Sequence, residues 1–266
     1  MTLDAEFDAT DRGFLLGDGL FETLLVVDGE ARFLTRHLDR MRASGTALCV
    51  PVPDNLDDLA REPIERLWRE AGEPRRAALR VTLSAGRGRG LVPADPPTPR
   101  VDVALSALRA APDTAPLRGV TVAAHRIDPS SASAGHKTLS WLPFVLARRE
   151  ALARGADVAL LTTIEGDVCE ADHANIFVAR DGVIVTPSLD RGVLPGITRA
   201  RVLSAARSAG RAIEERALTV DDLDAADEAW LTSSLNGVRA LASVDDRSLP
   251  ARGPLTLWLA GCVRDV

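Results

Sequence analysis

Lys137 is the only lysine among the 32 lysine and arginine residues of this 266-residue chain; every other one is arginine. Arginine supplies charge and surface solvation, but its guanidinium stays protonated to a pKa above about 12 and cannot act as an amine nucleophile. A position that keeps lysine in such a sequence is a candidate for needing the amine itself. That chemistry is Schiff-base formation with an aldehyde, followed by proton transfer as a free base. The plain alternative is a surface lysine left by chance in an arginine-biased composition.

Further groups offer complementary chemistry. Pro195 and Gly196 stand directly ahead of an amphipathic segment, so Gly196, Ile197 and Thr198 would present backbone N–H groups at the positive end of a helix dipole. Such an end is a seat for a phosphate, although an ordinary helix start has the same pattern. Arg40, three residues after His37 on one helix face, offers a guanidinium to an anion or to solvent. Ser233 and Ser234 end a strand-like run, where their hydroxyls serve a ligand or a turn. Glu170 lies in the apolar run VCEADHANIFV, where a carboxylate either caps a turn or holds a cation such as a protonated ring nitrogen. Asn175, five residues on, most simply orients a turn through its amide. An electrophile-trapping amine, a carboxylate for a pyridine nitrogen and several phosphate donors together match what pyridoxal 5′-phosphate asks of a protein.

The composition narrows the alternatives. With 38 acidic residues and a formal net charge of −6, the chain has no basic field for nucleic acid or for an anionic membrane surface. No apolar run reaches the roughly 18 residues of a membrane span, and the acidic start MTLDAEFDAT lacks the features of a signal peptide. A cytoplasmic enzyme is expected. Cys49, Cys169 and Cys262 are far apart and form no CxxC pair, so neither a disulfide framework nor a metal site is expected.

These groups need elements to hold them. LFETLLVV, the turn Asp28-Gly29 and ARFL predict a hairpin, followed by a helix N-capped by Thr35 with Leu34, Leu38, Met41 and Leu48 at helical spacing. Residues 55–71 predict a second helix broken at Pro63. Strands are expected over 77–84 and 101–108, around a Gly/Arg/Pro-rich loop over 84–100. Residues 113–119 read as a linker between a domain over 1–112 and another over 120–266. In the latter, 120–126 predicts a strand, 139–155 a helix stopped by Gly155, and three alternating runs predict antiparallel strands. Helices at about 197–209 and 254–265 complete an α+β pattern.

Six segments carry a resemblance: DRGFLLGDGLFETL (11–24), HLDRMRAS (37–44), HKTLSWL (136–142), EADHANIFV (170–178), GVLPGITR (192–199) and TSSLNGVRAL (232–241). In this order they resemble the class IV aminotransferases, the fold type IV pyridoxal phosphate enzymes. The resemblance implies a small N-terminal α/β domain, a larger C-terminal pseudobarrel domain, a cofactor cleft between them and a homodimer. It puts the cofactor on Lys137, the pyridine-nitrogen contact on Glu170, and the phosphate ligands on Arg40, Ile197, Thr198 and Ser234, with Gly196 and Ser233 beside them.

The resemblance also bears on the substrate. Branched-chain aminotransferases use active-site tyrosines, and this chain has no tyrosine; Trp141, near the lysine, has no hydroxyl for the cofactor. D-amino-acid transaminases use an Arg-x-His pair where this chain reads SAGRGRG, with Arg87 and Arg89 but no histidine. That loop and Asn236 look closer to 4-amino-4-deoxychorismate lyase, although Leu91 stands where a tyrosine is expected. The resemblance therefore implies a lyase forming 4-aminobenzoate and pyruvate, with a transaminase as the alternative. Arg87, Arg89 or Arg239 would pair with substrate carboxylates, and Phe21 and Thr23 would wall the site.

Overall fold

A computed structural model of the chain describes residues 8–111, 113–250 and 253–264. It divides into two compact units: of the described residues, 8–111 and 136–140 form the first, and 113–135 and 141–264 the second. The lysine segment His136–Ser140 thus returns to the first unit, although its neighbours on both sides in sequence belong to the second.

The first unit runs α1 (Arg12–Leu16), β1 (Gly19–Val27), β2 (Glu30–Ala31), α2 (Leu34–Leu48), α3 (Leu56–Arg61), α4 (Ile64–Glu70), β3 (Arg76–Ser84), β4 (Gly88–Arg89), β5 (Val92–Pro93) and β6 (Arg100–Ala107). Its four-stranded antiparallel sheet has the order β2-β1-β3-β6. Side chains alternate across a strand. Leu20, Leu24 and Val26 of β1 join Leu79, Val81 and Leu83 of β3 and Leu34, Leu38 and Met41 of α2 in one buried core. α2 begins at Leu34 behind Phe33, which has a left-handed φ of 57°; Thr35 therefore sits inside the first turn rather than capping it. Pro63 separates α3 from α4. The expected loop over 84–100 is not wholly irregular, because β4 and β5 pair within it.

The second unit runs β7 (Leu117–Ile127), α5 (Leu142–Ala153), β8 (Val158–Thr163), β9 (Val168–Ala171), β10 (Asn175–Arg180), β11 (Val183–Pro187), α6 (Ile197–Ser208), β12 (Ile213–Arg216), α7 (Val220–Asp224), β13 (Glu228–Ser233), β14 (Gly237–Val244), β15 (Arg247–Ser248) and α8 (Pro254–Cys262). Nine strands form one sheet, ordered β12-β11-β10-β13-β14-β7-β8-β9 with β15 on β14. The alternating runs do pair antiparallel along β8-β9, β11-β10, β10-β13 and β13-β14. β8, however, lies parallel to β7, and β7 parallel to β14. A parallel neighbour requires a crossover, and α5 supplies it between β7 and β8. Residues on β8 and β10 alternate between one shared core and two others, one for each strand. Val158, Leu160, Ile176 and Val178 meet Leu231 and Leu241. Ala159 and Leu161 meet Ala147 and Ala151 of α5, while Phe177 meets Val202 of α6 and Leu259 of α8. No helix among the described residues is long and apolar enough to cross a membrane.

Candidate active site

β3 pairs with β1 along its whole length, whereas β2 covers only Val26 and Val27 on the other edge. The lysine segment pairs with the start of that edge. Phe21 N–H donates to Lys137 O at 2.9 Å, Leu139 N–H donates to Gly19 O at 2.9 Å, and Leu20 and Thr138 form an antiparallel bridge. His136 Nδ1 lies 2.9 Å from Ser44 Oγ on α2. Gly17, with φ +69°, ends α1, and a Cβ there would overlap Ser140 Oγ; a left-handed position crowded on its Cβ side admits only glycine at low cost. Backbone pairing and a side-chain hydrogen bond thus fix the position of Lys137 while leaving it half-buried.

The Lys137 Nζ stands 4.3 Å from the centre of the Phe21 ring, and the Arg80 guanidinium carbon stands 3.8 Å from the same ring centre. Cations over an aromatic face gain about 0.5–2 kcal/mol. Phe21 and Thr23 project from the same face of β1, and the register sets Thr82 opposite Phe21 and Arg80 opposite Thr23. The expectation for Phe21 and Thr23 thus points to the sheet face that carries the amine. Arg80 was not singled out from the sequence. Its signal is a lone arginine inside the apolar strand AALRVTL, on the face opposite Leu79 and Val81.

The opposite face of β1 holds Glu22, 1% exposed. Arg40 Nε donates to Glu22 Oε1 at 2.8 Å and Arg40 Nη2 to Glu22 Oε2 at 2.6 Å. His37 Nδ1 stands 2.7 Å from Glu22 Oε2; a carboxylate only accepts, so Nδ1 carries the proton. Burial pushes the Glu22 carboxyl up, but hydrogen bonds from His37 and Arg40 and the Arg40 charge outweigh it and hold the group below its ordinary value. Burial pulls His37 down against its bond to Glu22, and the positive charges of Arg40 and Lys137 act in the same direction as burial. Both groups therefore favour their deprotonated forms in the fold. Their stabilisation is complete above the ordinary imidazole value of 6.5 and is lost as the pH falls through the depressed folded values, because the unfolded chain takes up the protons first. Thermal unfolding followed from about pH 8 to 4 should show a midpoint that declines below pH 6.5, and His37→Gln should remove the upper part of that decline.

In the second unit, Glu170 lies on β9, 7% exposed. Its Oε2 accepts from Leu194 N–H at 3.1 Å and from Asn175 Nδ2 at 3.4 Å, and Asn175 Nδ2 also donates to Leu194 O at 2.9 Å. The carboxylate and the loop entering α6 are tied together through one amide. A Cβ on Gly196 would overlap Asn175 Oδ1. Gly196 is also the N-cap of α6 with no side-chain capping bond, ahead of half-buried Ile197 and buried Thr198. Gly196→Ala must displace the Asn175 amide; it should cost about 1–3 kcal/mol of stability, read as a lowered unfolding midpoint.

Ser233 ends β13 opposite Gly237, and Ser234 and Asn236 lie in the turn between them. The expected carboxylate ligands lie on separate segments of the chain. Arg87 pairs with Asp8 at 2.8 Å, and Arg89 is exposed on β4. Arg239, on β14, donates to Ala115 O at 2.7 Å and pairs with Asp113 at 3.2 Å. The buried Cys169 thiol is pushed up by burial and by the charges of Glu170 and Asp167, which leaves it a poor nucleophile.

The first unit thus holds a lysine amine over an aromatic ring, and the second a buried carboxylate held by N–H donors and a glycine-started helix. The chain belongs to the class IV aminotransferase family: the profile described as Amino-transferase class IV matches residues 19–244. It is 30% identical to a bifunctional aminodeoxychorismate lyase/D-amino acid transaminase of Mycobacterium tuberculosis over 94% of this chain and 92% of that one. Its fold matches that of 4-amino-4-deoxychorismate lyase from Pseudomonas aeruginosa with a TM-score of 0.86, at 30% identity over 98% and 95% of the two chains. It matches a branched-chain aminotransferase from Thermoproteus uzoniensis with a TM-score of 0.88, at 27% identity over 97% and 88%. The α+β fold is that of the fold type IV enzymes, and the cofactor is pyridoxal 5′-phosphate. The residues present fit that group: an amine for its aldehyde, an acceptor carboxylate for its ring nitrogen, and helix N–H groups for its phosphate.

Proposed function

We propose that this enzyme is a 4-amino-4-deoxychorismate lyase, forming 4-aminobenzoate and pyruvate for folate synthesis. The observation that carries the proposal is the Arg80 guanidinium on the ring that also bears the Lys137 amine. A cation that shares the Phe21 ring with the amine suits an anionic substrate, and a guanidinium binds carboxylate through paired N–H bonds. The loop SAGRGRG, the absence of tyrosine and relatives named as lyases support the same reading.

Lys137 binds the cofactor through its ε-amine, with Phe21 and Thr23 beside it. Pyridoxal 5′-phosphate, when bound, would supply an aldehyde for the substrate amine and an electron sink for the carbon that bears it. The Lys137 amine would act as the base that takes the proton from C4 of the substrate. Cleavage of the C3–O bond leaves an aromatic ring, and the departing enolate of pyruvate takes a proton on its methylene carbon to give pyruvate. Glu170, fixed by Leu194 and Asn175, would hold a proton on the pyridine nitrogen. Arg40, Gly196, Ile197, Thr198, Ser233 and Ser234 hold the phosphate. Arg80 joins Arg87, Arg89 and Arg239 as a candidate carboxylate ligand, and Asn236 lies near the phosphate residues in sequence.

A cytoplasmic homodimer completes the proposal. Three free cysteines suit a reducing compartment, and Leu15, Leu91 and Val92 are 58%, 84% and 67% exposed, apolar surface of the kind that subunit contacts cover. The second reading is a transaminase for D-amino acids, favoured by the dual name of the Mycobacterium tuberculosis relative. Incubation with aminodeoxychorismate and, separately, with D- and L-amino acids plus a keto acid decides between them. Release of 4-aminobenzoate and pyruvate in equal amounts supports the lyase; keto-acid exchange without 4-aminobenzoate overturns it.

A further inference from the structure

We propose that Glu22 is a positioning residue that aims the Arg40 guanidinium at the cofactor phosphate, with His37 holding Glu22 in place. The inference rests on the reading of Arg40 as a phosphate ligand. A free arginine side chain has many rotamers, and its planar fork fixes all its N–H directions once one edge is held. Glu22 holds such an edge, at Nε and Nη2. The carboxylate is placed by β1, the most buried strand of the first sheet's core face, and not by a loop. His37 lies one helical turn before Arg40 on α2 and bonds the same Oε2 that Arg40 Nη2 uses.

The charges have a further consequence. Glu22 offsets the formal charge of Arg40, so the guanidinium acts on an anion more through directed N–H bonds than through net charge. Direction then matters more than sign. A lysine at position 40 would keep the charge, yet one ammonium cannot offer two parallel bonds to a carboxylate. Glu22 lies on the sheet face opposite Phe21, so its removal leaves the ring under Lys137 in place.

The test is titration of the apoprotein with pyridoxal 5′-phosphate and with pyridoxal, which lacks the phosphate, followed by absorbance. Glu22→Gln should weaken pyridoxal 5′-phosphate binding about ten- to hundredfold, the range lost when an outer partner of a ligand is removed, and leave pyridoxal binding within about threefold. Arg40→Gln should weaken the same ligand selectively, Glu22→Gln should add nothing in that background, and Arg40→Lys should behave like Arg40→Gln. Equal weakening of both ligands by Glu22→Gln, or none, overturns the inference, as does wild-type affinity in Arg40→Lys. If Glu22→Gln does not fold, the Arg40→Lys result decides. Should Arg40→Gln itself bind pyridoxal 5′-phosphate normally, the phosphate role of Arg40 falls; should it bind weakly while Glu22→Gln binds normally, only the present inference falls.

Discussion

Lys137→Arg abolishes turnover, by at least about 10⁴-fold, and removes the near-visible absorbance of the bound cofactor. The substitution is a severe test because arginine is the residue this chain uses at every other basic position. It keeps the charge over the Phe21 ring, and the segment's place on β1 rests on backbone bonds and on His136. Only the capacity of a nitrogen to lose its proton and attack an aldehyde is lost. The unfolding midpoint should stay close to wild type. A variant that retains more than about a hundredth of wild-type turnover, when positioned proton transfer alone contributes 10²–10⁴-fold, would show that the amine is not the reacting group.

Glu170→Gln should lower turnover about 10²–10³-fold and change the absorbance spectrum of the bound cofactor, with a smaller effect on its affinity. The amide preserves the volume and one acceptor for Leu194 N–H, so the loop before α6 keeps its place. It cannot stabilise a proton on the pyridine nitrogen as a carboxylate does, and electron withdrawal from the substrate carbon weakens. The spectrum distinguishes this cause from simple distortion, since a displaced loop would instead loosen the phosphate and raise the cofactor Kd. Asn175→Ala serves as the control, because it removes an amide that holds both Glu170 and Leu194 and should affect affinity first.

Much of this was legible in the residues. The lone lysine, the hairpin at Asp28-Gly29, the broken helix at Pro63 and the glycine-started α6 each follow from one residue type with few conformational options. Glu22 was not legible as a partner of Arg40: 18 residues separate them, and a glutamate in an apolar strand can equally be a surface position. Burial decides, and burial is a tertiary property. Arg80 escaped notice for the complementary reason, since in an arginine-rich chain a further arginine carries little information. The parallel pairing of β7 with β8 and β14 was hidden because period-two alternation is common to parallel and antiparallel ladders. The return of His136–Ser140 to the first unit rests on edge bonds to β1, and main-chain bonds leave almost no mark on sequence.

If one amine carries the cofactor, borohydride reduction of the purified protein followed by peptide mass spectrometry finds a single phosphopyridoxyl group, on the peptide containing Lys137. A reduced protein with no such group, or with the group only on the N-terminal amine, would contradict it.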